Sequence, residues 1–226
     1  MDGFPDTFDL ARIPELWRHL FEGDPPWALL ARLDAFLAEL AAAWGEGDVL
    51  GDVHPSAVLE GPVRVDAGAH VAPHAYVWGP AWLMAGAEVG HGATLRGGVL
   101  LAAGAKVGHA TEVKRSVFLP GAKAPHFNYV GDSVIGSGAN LGAGVKLANL
   151  KTVGASIVMA GHATGLRKLG SWIGDGASIG CNAVLAPGTV VGAGSVVYAT
   201  ASVRGVVPAR SIVKVRPGLE TVPMRD

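Results

Sequence analysis

The chain has 226 residues, half of them hydrophobic, with 33 glycines and only 7% aromatics. That length gives one main domain with room for a small appendage, and that composition favours thin layers repeated many times over a bulky core. A formal charge of −1, from 18 basic and 19 acidic residues, excludes the cationic footprint of a nucleic-acid binder, and one cysteine excludes a disulfide framework and a cysteine zinc ribbon.

The N-terminus lacks a basic stretch followed by an apolar one, so no signal peptide is expected. No uninterrupted apolar run is long enough for a membrane span. The expectation is a soluble cytoplasmic protein. Residues 1–48 read as a helical segment. Asp24, Pro25 and Pro26 form a helix start, with Asp24 as N-cap and proline in the first turn. Leu29, Leu33, Phe36, Leu37, Leu40 and Trp44 then follow helical spacing as one apolar stripe, ended by Gly45 and Gly47. A shorter helix is expected around residues 14–21. Two such helices cannot bury a stripe by themselves. They must pack on the main domain, for instance as a cap on its first layer, or on a partner chain.

From residue 49 onward the pattern changes to a count of six. Val53, Leu59, Val65, Val71, Val77, Leu83, Val89, Leu95, Leu101, Val107, Val113 and Leu119 are all aliphatic. The count slips and resumes as Ile135, Leu141, Leu147 and Val153, then as Ile173, Ile179, Leu185, Val191, Val197 and Val203. The slips predict two loops, near 120–134 and 154–172. So short and persistent a period marks a hexapeptide solenoid, a parallel β-helix. Each unit is one short strand, and three units close a triangular coil of 18 residues, stacked at about 4.8 Å. A prism this slim has little room for a pocket of its own. Its sites are expected between chains, in a homo-oligomer of threefold symmetry.

Residues 18 apart stack in such a coil. Arg96 and Lys114 form one column, with Trp78 below. Two cations about 5 Å apart repel by about 1 kcal/mol in water, and a phosphate between them would reverse the sign. Two solvated side chains leaning apart remain the alternative. His91 and His109 form a second column. Surface polar histidines are the reading for His54, His70, His74, His91 and His109, and no metal site is expected.

The stretch Lys123–Asp132, KAPHFNYVGD, with the following SVIGSGANLGAG, resembles the acetyltransferase domain of the bifunctional glucosamine-1-phosphate acetyltransferase/N-acetylglucosamine-1-phosphate uridylyltransferase family. The ANLK and LRKLG segments are similar to its archaeal-type branch. The resemblance covers roughly 53–216 and is densest over 112–150. It implies a left-handed coil, acetyl-CoA as cosubstrate, and an amino-sugar phosphate or nucleotide-linked amino sugar as acceptor. It implies His126 as catalytic base, with Tyr129 and Asn140 orienting it and the sugar. It implies Arg96, Lys114, Asn149 and Lys168 as substrate-binding residues, and Ala143, Cys181, Ala199 and Arg216 as acetyl-CoA-binding residues. Cys181 stands where the bacterial enzymes have serine. Residues 1–50 lack a Gly-rich phosphate loop, so uridylyl transfer is not expected, although the helices could dock a separate nucleotidylyltransferase.

An amine is itself a competent nucleophile, so direct transfer needs only a base, a placed thioester and an oxyanion donor. A backbone N–H near Gly142 and Ala143 could be that donor. Cys181 has no neighbour in sequence that would activate it as a nucleophile. Two other classes stay open: an O-acyl or longer-chain acyltransferase on the same scaffold, and a non-catalytic sugar-nucleotide-binding subunit.

Overall fold

The computed structural model describes residues 4–45, 48–154 and 156–215. Short strands follow one another around three faces and stack in parallel. The first face holds nine strands, from Asp52–Val53 to Ile212–Val213. The second holds eight, from Val58–Glu60 to Ser202–Val203, and the third holds eight, from Val63–Val65 to Val206–Val207. The register keeps the sequence period, with Val53 beside Val71, Val71 beside Val89, and Val89 beside Val107. Alternation within each strand fills the interior: Val77 is buried between outward-facing Tyr76 and Trp78. The tight corners explain part of the glycine content. A Cβ at Gly108 would run into the carbonyl of Pro125 on the next coil.

The first slip in the count is not a loop. Lys123–His126 and Tyr129–Gly131 are strands of the first and second faces. Here the coil loses one residue: Val107 pairs with Ala124, Val113 with Val130, and Val117 with Val134. Phe118 therefore points inward and Leu119 joins the outer apolar cluster. Dropping a corner residue keeps the stack intact, and a strict count of six cannot distinguish it from an extruded segment.

The second slip is a true excursion. Ile135 pairs with Ile173, 38 residues on, and the chain between them forms an antiparallel hairpin of Val158–Met159 with His162–Ala163. Val153 is 83% exposed and is no rung of the core.

The helices are α1 (Glu15–Arg18) and α2 (Leu29–Ala41). Asp24 does not cap α2, which is entered through a 3-10 turn at Pro26–Ala28 without a side-chain cap. Gly47 lies outside the described residues. The helices do not cap the first coil. They lie along the third face, where Leu29, Leu30, Leu33 and Leu37 pack with Trp82, Leu100, Val117, Val134, Trp172 and Val190. Full burial of one such leucine contributes about 1.5–3 kcal/mol. Phe36, Leu40 and Trp44 are only partly buried at the margin of this layer. Ile157, Met159 and Leu169 of the excursion complete it. Among the described residues no helix is long and apolar enough to cross a membrane.

Candidate active site

The helices occupy the third face, which leaves the first and second faces and the corner between them open. At that corner each coil places one residue in a left-handed conformation: Ala110, Phe127, Gly144, Asn182 and Thr200. Their N–H groups donate to the carbonyls of His91, His109, His126, Ala143 and Cys181 on the preceding coil, at 2.8–3.1 Å. His91, His109, His126, Ala143, Cys181 and Ala199 thereby share one corner position and form a single column. Four of the residues assigned by resemblance, His126, Ala143, Cys181 and Ala199, fall on it. At the stacking distance they span about 14 Å. Arg216 lies outside the described residues.

His126 is exposed at the end of strand Lys123–His126, and its position is set from below and from the side. His109 is its register partner. Its N–H donates to Asn128 Oδ1 at 3.1 Å, while Asn128 Nδ2 donates to the Gly142 carbonyl at 2.7 Å. Asn128, almost fully buried, thus ties the His126 corner to the Gly142 corner. The Gly142 N–H is committed to the Ile179 carbonyl at 2.7 Å, which leaves Ala143 N–H as the oxyanion donor to consider. Below His126, the His91 and His109 rings stack at 5.2 Å, with their Nδ1 atoms 3.2 Å apart, and Phe127 packs edge-on to His109 at 5.0 Å. Among the described residues no group of three or more His, Cys, Asp or Glu is arranged to hold a metal ion.

Beside the corner, the second face carries an open groove of about 460 Å³. Phe127, Tyr129, Glu112, Lys146, Asn149 and Leu150 are among the residues that line it. Tyr129 stands beside Glu112 of the preceding coil and Lys146 of the following one. Its hydroxyl donates to Asn149 Oδ1 at 3.3 Å. Asn149 Nδ2 in turn donates to Asp132 Oδ2. Asp132 has no solvent exposure, and its Oδ1 also meets Lys114 Nζ and Arg115 Nη1, each at 3.4 Å. Arg115 continues outward to Asp34 of α2, Nε to Oδ2 at 2.8 Å. Burial raises the Tyr129 phenol above its ordinary pKa, and the negative charges of Glu112 and Asp132 raise it further.

The expected anion clamp is not formed as drawn. Arg96 is bound to Glu112 at 2.6 Å and Lys114 to Asp132, so each cation of the column already faces a carboxylate. The same contact with Glu112 raises the Arg96 pKa. The physical reason is a diagonal that stacking alone does not reveal: a long cation reaches an acid one coil up. Asn140 is exposed on the first face, between Lys123 and Ser178, and does not line the groove. Lys168 is exposed and bridges Leu150, a groove residue, through the backbone. It makes no ion pair among the described residues.

Three contributors were not singled out in the sequence: Asn128, Asp132 and Glu112. A signal existed for Asp132, which stands 18 residues after Lys114. The shortened coil puts Gly131 in register with Lys114, and the Asp132 N–H donates to the Lys114 carbonyl at 2.9 Å.

No known family profile matches the chain. A "Bifunctional protein GlmU" from Bacillus caldolyticus is 36% identical over 103 residues, covering 46% of this chain and 78% of that sequence. This chain belongs to the GlmU family. A bifunctional sugar-1-phosphate nucleotidylyltransferase/acetyltransferase from Sulfurisphaera tokodaii is 44% identical over 73 residues, covering 30% of this chain and 18% of that protein. A GlmU from Pelotomaculum thermopropionicum is 39% identical over 69 residues, covering 30% of this chain and 12% of its own. The chain thus spans less than a fifth of the length of these two relatives. Among solved structures, the acetyltransferase domain of PglB from Neisseria gonorrhoeae is 20% identical with a TM-score of 0.23, covering 80% of this chain and 62% of that chain. AntD, an N-acyltransferase from Bacillus cereus, is 15% identical with a TM-score of 0.24, covering 71% and 81%.

Proposed function

We propose that the chain is an acetyl-CoA-dependent N-acetyltransferase whose acceptor is an amino-sugar phosphate of the glucosamine-1-phosphate kind, or a nucleotide-linked amino sugar. The observation that carries this is the corner column: His126, Ala143, Cys181 and Ala199 lie in one line, beside the Tyr129–Asn149 groove. The name of one relative, a bifunctional sugar-1-phosphate nucleotidylyltransferase/acetyltransferase, supports the same chemistry.

The thioester lies along the column, with its pantetheine arm running past Ala143 toward Cys181 and Ala199. The acceptor sits in the groove with its nitrogen toward His126. The imidazole takes a proton from the attacking amine as the nitrogen–carbon bond forms. Ala143 N–H steadies the oxyanion. Collapse breaks the carbon–sulfur bond, and the imidazolium returns its proton to the CoA thiolate. Lys168 takes the phosphate oxygens. Arg96 and Lys114 join it only by exchanging Glu112 and Asp132 for the ligand. Exposed Phe127 and Tyr198 flank the open corner, and a neighbouring protomer of a homotrimer closes the crevice there, since the third face is already covered.

The test is thiol release from acetyl-CoA with glucosamine-1-phosphate, its dephosphorylated counterpart, a nucleotide-linked amino sugar and hydroxyl-only sugars. Release with an amine acceptor is expected. Release with hydroxyl acceptors alone would replace the reading with O-acyl transfer, and no release with any acceptor would remove it.

A further inference from the structure

We infer that Asp132 is a positioning residue: its buried carboxylate fixes the direction of the Asn149–Tyr129 hydrogen bond, so that the phenol commits its proton inward and offers its oxygen to the groove as an acceptor. On the acyltransferase reading, on which the ligand's identity rests, that oxygen receives an N–H or O–H of the acceptor sugar.

The direction follows from what each group can do. An ionised carboxylate only accepts. Asp132 is fully buried, and its Oδ2 faces the Asn149 side chain. Asn149 must therefore turn its NH₂ to Asp132, which leaves Oδ1 for Tyr129. An amide oxygen cannot donate, so the phenol does. Its oxygen keeps lone-pair capacity for a ligand in the groove that Tyr129 lines. Glu112, in register with Tyr129 and also lining the groove, is a second acceptor on the same wall. Such a wall offers acceptors to a donor group, in keeping with a sugar's amine and hydroxyls at this end.

Three features support this role for Asp132. Lys114 and Arg115 balance its charge from one side only, at Oδ1, leaving Oδ2 for Asn149. Arg115 is itself held by Asp34, so α2, far from the groove in sequence, braces the network. Asp132 also sits at φ +47°, a conformation that Asp and Asn adopt more readily than most residues.

The test follows the Tyr129 phenol by ultraviolet titration of the whole protein, with the Tyr129→Phe curve subtracted to remove the other tyrosines. Asp132→Asn suits the left-handed backbone and frees Asn149 to turn. It should lower the Tyr129 midpoint, because a negative charge that disfavours the phenolate is removed. Asn149→Ala should also lower it, because the neutral phenol loses its acceptor. A raised midpoint in Asn149→Ala would mean that the amide donates, and would overturn the inference even if Asp132→Asn does not fold. In the Asn149→Ala background the effect of Asp132→Asn should shrink; a shift of the same size there would mean that Asp132 acts by charge alone. In thiol release, Asp132→Asn and Asn149→Ala should each lower kcat/KM for the acceptor about 10–100-fold without changing KM for acetyl-CoA, and the double variant should be no worse than the weaker single. Additive losses would overturn the relay. The titration needs no ligand, so wild-type protein that releases no thiol would remove the proposed activity while the phenol data still judge Asp132.

Discussion

Gly131→Ala tests how tightly the groove network is packed. Gly131 lies in a strand of the second face and is not among the positive-φ glycines, so alanine meets no backbone strain there. A Cβ would stand 2.6 Å from Asn149 Nδ2 and 2.8 Å from the Tyr129 hydroxyl. Asn149 would have to withdraw by about 0.8 Å to reach ordinary contact at 3.4 Å, and its way back is blocked by Asp132. Losing the Asn149 bond to a buried carboxylate costs about 1–3 kcal/mol. The stiffer unfolded chain returns about 0.4–1 kcal/mol. A net loss of about 1–2 kcal/mol lowers Tm by about 2–8 °C for a chain of this size. Displacing Tyr129 on the same scale should cut thiol release about a hundredfold. Scanning calorimetry and the thiol assay measure both. An unchanged or raised Tm with unchanged turnover would show that the two side chains have room to spare, and would refute the packing argument.

His126→Ala should lower turnover by about 10²–10⁴-fold while acceptor binding measured by calorimetry changes little; an unchanged rate would remove His126 as the base. Lys168→Ala should weaken a phosphorylated acceptor and spare its dephosphorylated counterpart, so equal losses in KM for the two would count against a phosphate contact. Leu33→Ala, in the layer between α2 and the third face, should cost about 2–5 kcal/mol and show as a lower urea midpoint; an unchanged midpoint would mean that the helices do not stabilise the solenoid.

The six-residue count was enough to identify the solenoid, because an aliphatic side chain must enter the prism once per face and nothing else imposes that period. The apolar stripe of α2 was legible for the same reason. Which surface the stripe covers was not, since an apolar stripe specifies only that it be buried. Tertiary structure decided that, by setting Trp82, Val117 and Trp172 outward on one face. The residue missing between Val113 and Ser116 shows the limit of counting: a coil of 18 would set Asp132 in register with Lys114, whereas the shortened coil sets Gly131 there while the core continues through Phe118 and Val130. His126, Ala143, Cys181 and Ala199 are separated by 17, 38 and 18 residues, and only the coils of 17, 38 and 18 bring them into line. The chemistry of each residue is written in the chain, but neighbours across coils are chosen by the length of every turn between them, and that length is settled by how the corners pack.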